Sequence, residues 1–239
     1  MSPRPRGSGR TADGADTVVR RAVGEVRCGA WLSGLNAALR DRLFPMPIVT
    51  VEDMGRFTGQ RSAFVAQTSL YGYLKTRMGT KFPQYFEDEG FAASIRAAAE
   101  RQFVSCAADL TIHAAAVAAE GAGLGPTDIA GLARHSHAVA LRTGLGEFAT
   151  PELTAAASAA FAQRILQTDW AAAAGDEAAF AGSIADLIRN APVIDDFKLL
   201  DAAIVRNSIR FRWRDVRVQL RRRLDVPAIR DDWQSLGGA

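Results

Sequence analysis

Cys106, Asp109 and His113 stand three and four residues apart along the chain. On a helix these positions share one face. Thiolate, carboxylate and imidazole are all ligand types for a divalent metal, and an Asp–His pair is also the orienting half of a nucleophilic triad. A metal-dependent enzyme or a small-molecule hydrolase would use such a face, with Asp109 and His113 as the candidate catalytic pair. A fourth ligand or a nucleophile would have to come from elsewhere in the chain. The plainer alternative is a small core thiol beside an Asp–His hydrogen bond. His135, Ser136 and His137 offer the same vocabulary in a tighter run. Adjacent side chains on a helix diverge by about 100°, so Ser136 has no ready base in either neighbour. The sequence has no nucleophile elbow. It also lacks a phosphate-binding glycine loop, a dinucleotide fingerprint and a paired-histidine zinc motif. No cofactor or bound metal is therefore expected.

A second candidate is a pocket for an amphipathic or anionic ligand, formed by Gln67, Tyr71, Lys75 and Arg77. These lie in a stretch that is dense in aromatics: Phe64, Tyr71, Tyr73, Phe82, Tyr85, Phe86 and Phe91. The competing reading is a helix–turn–helix core with its basic side chains reaching out to water. The run through Phe64, Gln67, Tyr71, Gly72, Lys75, Arg77, Gly79 and Pro83, followed by Phe86, Glu87 and Asp88, resembles a poorly characterised helical family of alphaproteobacteria. Members of that family are sometimes labelled "esterase". The resemblance covers this motif and the arginine-rich C-terminal helix. It implies a bacterial protein, and it carries over no catalytic residue, because the label finds no matching nucleophile motif here.

The strongest charge signal is C-terminal. Residues 206–223 hold eight arginines and a single acid, Asp215, a net +7 in a chain whose total is +3, so the remainder sums to −4. On a helical wheel Ile209, Trp213, Val216, Leu220 and Leu224 form an apolar stripe. Arg206, Arg210, Arg214, Arg217 and Arg221 form a second stripe about 90° away. Internal pairing with Asp195, Asp196, Asp201 or the acids at 87–89 is one use for that row, although exposed pairs contribute only about 0–1 kcal/mol each. An anionic membrane surface is another, at about 1 kcal/mol per basic residue. Nucleic acid is a third and less favoured partner, since no recognised binding motif accompanies the helix.

The elements that must position these residues are helical. Residues 1–17 read as a disordered tail, polar and broken by Pro3, Pro5, Gly7 and Gly9, without the apolar core of a secretory leader. Helices are expected over 18–44, 50–78, 88–120, 126–143, 150–174, 176–189 and 195–224, with a terminal turn around Trp233. Thr50 with Asp53 forms a capping-box pair, and Thr150 precedes Pro151 as an N-cap. Gly72, poor in a helix, predicts a close crossing there. Residues 81–83 read as a linker. The most apolar run, 106–119, is interrupted by Asp109 and His113 and falls short of the ~20 residues of a membrane span. The two cysteines, Cys28 and Cys106, form no paired motif, which predicts reduced thiols and a cytoplasmic setting, with attachment to the membrane periphery as a further option.

The expectation is an all-α protein: a tail over 1–17 and a single helical bundle of about seven helices over 18–239. Its expected function is non-enzymatic binding or assembly through the arginine helix. The partner is another protein, a second copy of the chain, or an anionic membrane surface.

Overall fold

A computed structural model describes residues 46–146, 149–175 and 178–237. The expected tail, the helix over 18–44 and Cys28 lie outside the described residues. Eight α-helices follow one another among those that are described: α1 (Val51–Met78), α2 (Glu89–Ala122), α3 (Pro126–Leu145), α4 (Pro151–Leu166), α5 (Trp170–Ala174), α6 (Ala181–Asn190), α7 (Asp195–Arg223) and α8 (Val226–Ser235). Among the described residues there is no β-strand; an isolated bridge joins Ile48 to Leu224. Through it, Ile48 N–H donates to the Arg223 carbonyl at 2.8 Å, and Asp225 N–H donates to the Ile48 carbonyl at 3.0 Å. The all-α fold class holds.

Local chemistry explains the helix starts. The Thr50 side chain accepts from Asp53 N–H at 3.0 Å, and Asp53 accepts in return from Thr50 N–H. Two backbone donors at the start of α1 are thereby satisfied. Thr150 accepts from Leu153 N–H at the start of α4. One expected helix, 150–174, is in fact two. The Thr168 hydroxyl donates back to the Arg164 carbonyl at 2.9 Å, and Asp169 accepts from Ala172 N–H and so starts a new helix. Short polar side chains of this kind compete with the helical ladder and favour caps. The expected linker at 81–83 joins two 3₁₀ turns, Gly79–Lys81 and Gln84–Phe86.

The bundle is organised around α2, which is buried almost continuously from Cys106 to Ala119. It packs against α1, α3, α5, α6 and α8. By length and composition α2 is apolar enough to cross a membrane, and 89% of that apolar window is buried inside the protein. Its alanines let its neighbours approach closely, while Leu110, Ile112, Phe103 and Ile95 fill the volume between them.

The close helix crossing expected at Gly72 is elsewhere. A Cβ at Gly72 would meet nothing nearer than an Arg212 guanidinium nitrogen at 3.8 Å. The crossing lies near the start of α1, where it packs along α3. A Cβ at Gly55 would fall 2.4 Å from the Val139 Cβ, and one at Gly59 would fall 2.6 Å from the Ala140 carbonyl oxygen.

Candidate functional site

Cys106, Asp109 and His113 do share one face of α2, and all three are fully buried. What they meet is the start of α6 and the 3₁₀ turn Ala178–Phe180 before it. Asp109 accepts from Ser183 N–H at 2.7 Å, serving a distant helix as a capping carboxylate. It also pairs with Arg164 of α4 at 2.5 Å. Burial raises the Asp109 pKa above its ordinary value, against the opposing pull of Arg164 and Ser183. Gly182 makes room for the pair, since a Cβ there would lie 2.7 Å from Asp109 Oδ1.

The expected Asp109–His113 hydrogen bond is replaced by other partners. His113 Nδ1–H donates to the Ala173 carbonyl at 2.9 Å, and its ring packs on Phe180 with centroids 5.1 Å apart. Cys106 receives a contact from Gln102 Nε2 at 3.5 Å, and burial pushes its thiol well above the ordinary range. A thiol held protonated is a poor nucleophile and a poor metal ligand. Gln102 also donates to the Ser183 carbonyl at 3.0 Å, and Trp213 Nε1–H donates to Ser183 Oγ at 3.1 Å. The face therefore works as a polar fastener joining α2, α4, α6 and α7. Among the described residues no three His, Cys, Asp or Glu side chains form a group that would hold a metal.

The histidine–serine run separates as its helical spacing demands. His135 is exposed, while Ser136 and His137 are buried. The His137 ring stacks on Phe161 at 3.8 Å and 9°. Burial, helped by the charge of Arg164, lowers its pKa from 6.5 to about 4. It is a core aromatic, kept neutral at physiological pH.

Gln67, Tyr71, Lys75 and Arg77 do not converge on a pocket. Gln67 and Lys75 point to solvent. Tyr71 packs on Phe82 and Phe86, whose rings meet edge to face at 5.1 Å. Arg77 turns to α7, where both its Nε and Nη2 donate to the Asp201 carboxylate and its guanidinium lies 4.6 Å above the Phe197 ring. Asp201 is held below the ordinary carboxylate range, first by the hydrogen bond from Arg77. Tyr73 adjoins the pair, and burial, with Asp201 adding, pushes its phenol up to about 12. Asp201 thus pairs with α1 and not with the arginine row of its own helix.

That row faces outward. Val205, Ile209, Trp213, Val216 and Leu220 are the buried face of α7. Arg206, Arg210, Arg214 and Arg221 are exposed and Arg217 is half-buried. Arg206 and Arg214 make no ion pair with a carboxylate of the described residues, and Arg221 donates to the Ala174 carbonyl at 2.8 Å. Two shallow depressions follow the row. One, of about 260 Å³, has Phe180 and Trp213 beneath it and Phe211, Arg210, Arg214 and Arg217 around it. The other, of about 240 Å³, lies between α6 and α7, lined by Ile184, Ile188, Arg206 and Arg210 among others.

A third stripe on α7 escaped the sequence reading. Phe197, Ile204, Phe211 and Val218 are 37%, 70%, 64% and 50% exposed, and they recur every seven residues. On a 100° wheel this stripe is centred about 150° from the buried one, and the arginine row occupies the wider arc on the other side of the helix, about 100° from each. The seven-residue spacing was the available signal. No family model, curated protein or solved structure matches this chain.

Proposed function

We propose that this chain is a non-enzymatic docking protein that engages another protein through the outer face of α7. One observation carries the reading: α7 buries one apolar face in the bundle and presents a second to solvent, bordered by a row of arginines. Large apolar side chains left exposed along one helix face beside a charged rim fit an interaction site. Aromatic and arginine side chains are also the residue types that dominate binding energy at interfaces. A hydrolase using Cys106, Asp109 and His113 gains no support from their geometry, because all three are sealed in the core and committed to structural partners. Nucleic acid would meet the arginines but would leave the apolar stripe without a role. The proposed setting is the cytoplasm, with which a buried free thiol at Cys106 is compatible.

A second reading, attachment to an anionic membrane surface, is favoured by Leu199 and Leu200, 79% and 74% exposed near the start of the same helix. The test replaces Ile204 and Phe211 together by serine. Both side chains lie outside the core, so the thermal midpoint should stay within about 2 °C. The size of the native complex in gently lysed source cells should fall. An unchanged complex with the doubly substituted protein would overturn the docking reading.

A further inference from the structure

We infer that the occupant of the α7 face is an amphipathic helix carrying carboxylates along one flank, supplied by a different protein; this rests on the docking reading above. Three features of α7 carry the inference.

The first is spacing. Phe197, Ile204, Phe211 and Val218 keep a strict seven-residue repeat, the period at which one helix stays in register with another. A lipid surface sets no such requirement, and neither does an extended peptide.

The second is charge. The positions three residues after each stripe residue are Leu200, Asn207, Arg214 and Arg221. Arginines therefore stand directly beside the apolar seam in its C-terminal half, backed by Arg206 and Arg210. Glutamates or aspartates on the facing flank would meet them with charge-assisted hydrogen bonds. The depression between Phe211 and Trp213 would receive one large apolar side chain from the occupant. Asp215 is exposed on the opposite edge of the stripe, one turn from both Phe211 and Val218. An anionic lipid surface would have to meet that carboxylate with like charge, whereas a helix can place a basic residue there.

The third is the cost of parallel self-pairing. A parallel pair of α7 helices sets Arg214 and Arg221 against their own equivalents, and like charges across a seam disfavour it. Sedimentation of the chain alone tests the antiparallel pair.

The test titrates the full chain against a fluorescent helical peptide of about four heptads, with leucine on its seam and glutamate on one flank. The matched control has lysine in place of glutamate. The glutamate peptide should bind at least about tenfold more tightly than the lysine peptide, and Phe211→Ser should cost about tenfold at an unchanged thermal midpoint. The preference should shrink as salt shortens the screening length below about 10 Å. Equal binding of the two peptides, or binding of neither, overturns the inference. Vesicles of phosphatidylcholine with and without phosphatidylglycerol, and sedimentation of the chain alone, are measured in parallel. If Phe211→Ser abolishes vesicle binding or self-association while neither peptide binds, the acidic-helix inference falls and the docking face stands. If Phe211→Ser changes none of the three, the docking reading falls as well.

Discussion

His137 gives the sharpest physical prediction away from α7, because its ring is buried, stacked and neutral. Its pKa lies at about 4 in the fold against 6.5 for an ordinary histidine, with burial as the main cause. In the unfolded chain the ring takes a proton near pH 6.5; in the folded chain it resists until about pH 4. The stability linked to this group is fully present above 6.5 and is lost as pH falls through that window. A shift of this size corresponds to about 3 kcal/mol in total at ~1.4 kcal/mol per unit, of which about 2 kcal/mol is gone by pH 5. His137→Phe keeps an aromatic ring against Phe161 and removes the titration, so the two proteins should differ little at pH 7.5. Urea denaturation of both at pH 7.5 and at pH 5 measures the effect. The variant should gain about 2 kcal/mol relative to the parent at the lower pH. Taking the difference between the two proteins removes the contribution of other titrating groups, Asp109 and Asp186 among them. A constant difference across that range would refute the account of His137 as a buried neutral ring and reopen a chemical role for the histidine–serine run.

Asp109→Ala should destabilise the fold by about 2–3 kcal/mol, because it leaves Arg164 without its counter-charge and Ser183 N–H without an acceptor. The loss falls below the usual range for a broken buried pair because the Arg164 side chain can turn toward solvent. Asp109→Asn should recover part of this, and chemical denaturation of both variants checks the order. Two of the three α1 glycines should move in opposite directions. Gly55→Ala drives a methyl into Val139 and should cost about 1–3 kcal/mol, while Gly72→Ala meets open space and should gain about 0.5–1 kcal/mol; thermal melts of the pair decide it.

Much of the architecture was legible in the sequence, because it is written in short-range chemistry. Thr50 with Asp53 and Thr150 with Pro151 mark boundaries that depend only on neighbouring residues. Gln167–Thr168–Asp169 was not legible as a break, since each residue is tolerable inside a helix and only the back-bonding hydroxyl and the cap together end it. Gly72 misled for a related reason: its cost in a helix is visible in sequence, but whether a neighbour approaches is not. The shared face of Cys106, Asp109 and His113 followed from spacing alone. Its role did not, because its partner Ser183 lies 74 residues from Asp109 in sequence. The exposed stripe of α7 was hidden by its own helix, whose two apolar faces lie nearly opposite and offset each other's asymmetry. Reading that helix for a single apolar face finds the buried one and stops there.

The central claim is that the outer face of α7 is where this protein meets its partner. Photo-crosslinking in living source cells tests it most directly, with a photoreactive amino acid placed singly at Ile204, Phe211 and Leu166. All three positions are at least 64% exposed, and Leu166 lies at the end of α4. The account predicts one recurring crosslinked protein from positions 204 and 211 and none from 166. The same products from all three positions, or none from the two α7 positions, would contradict it.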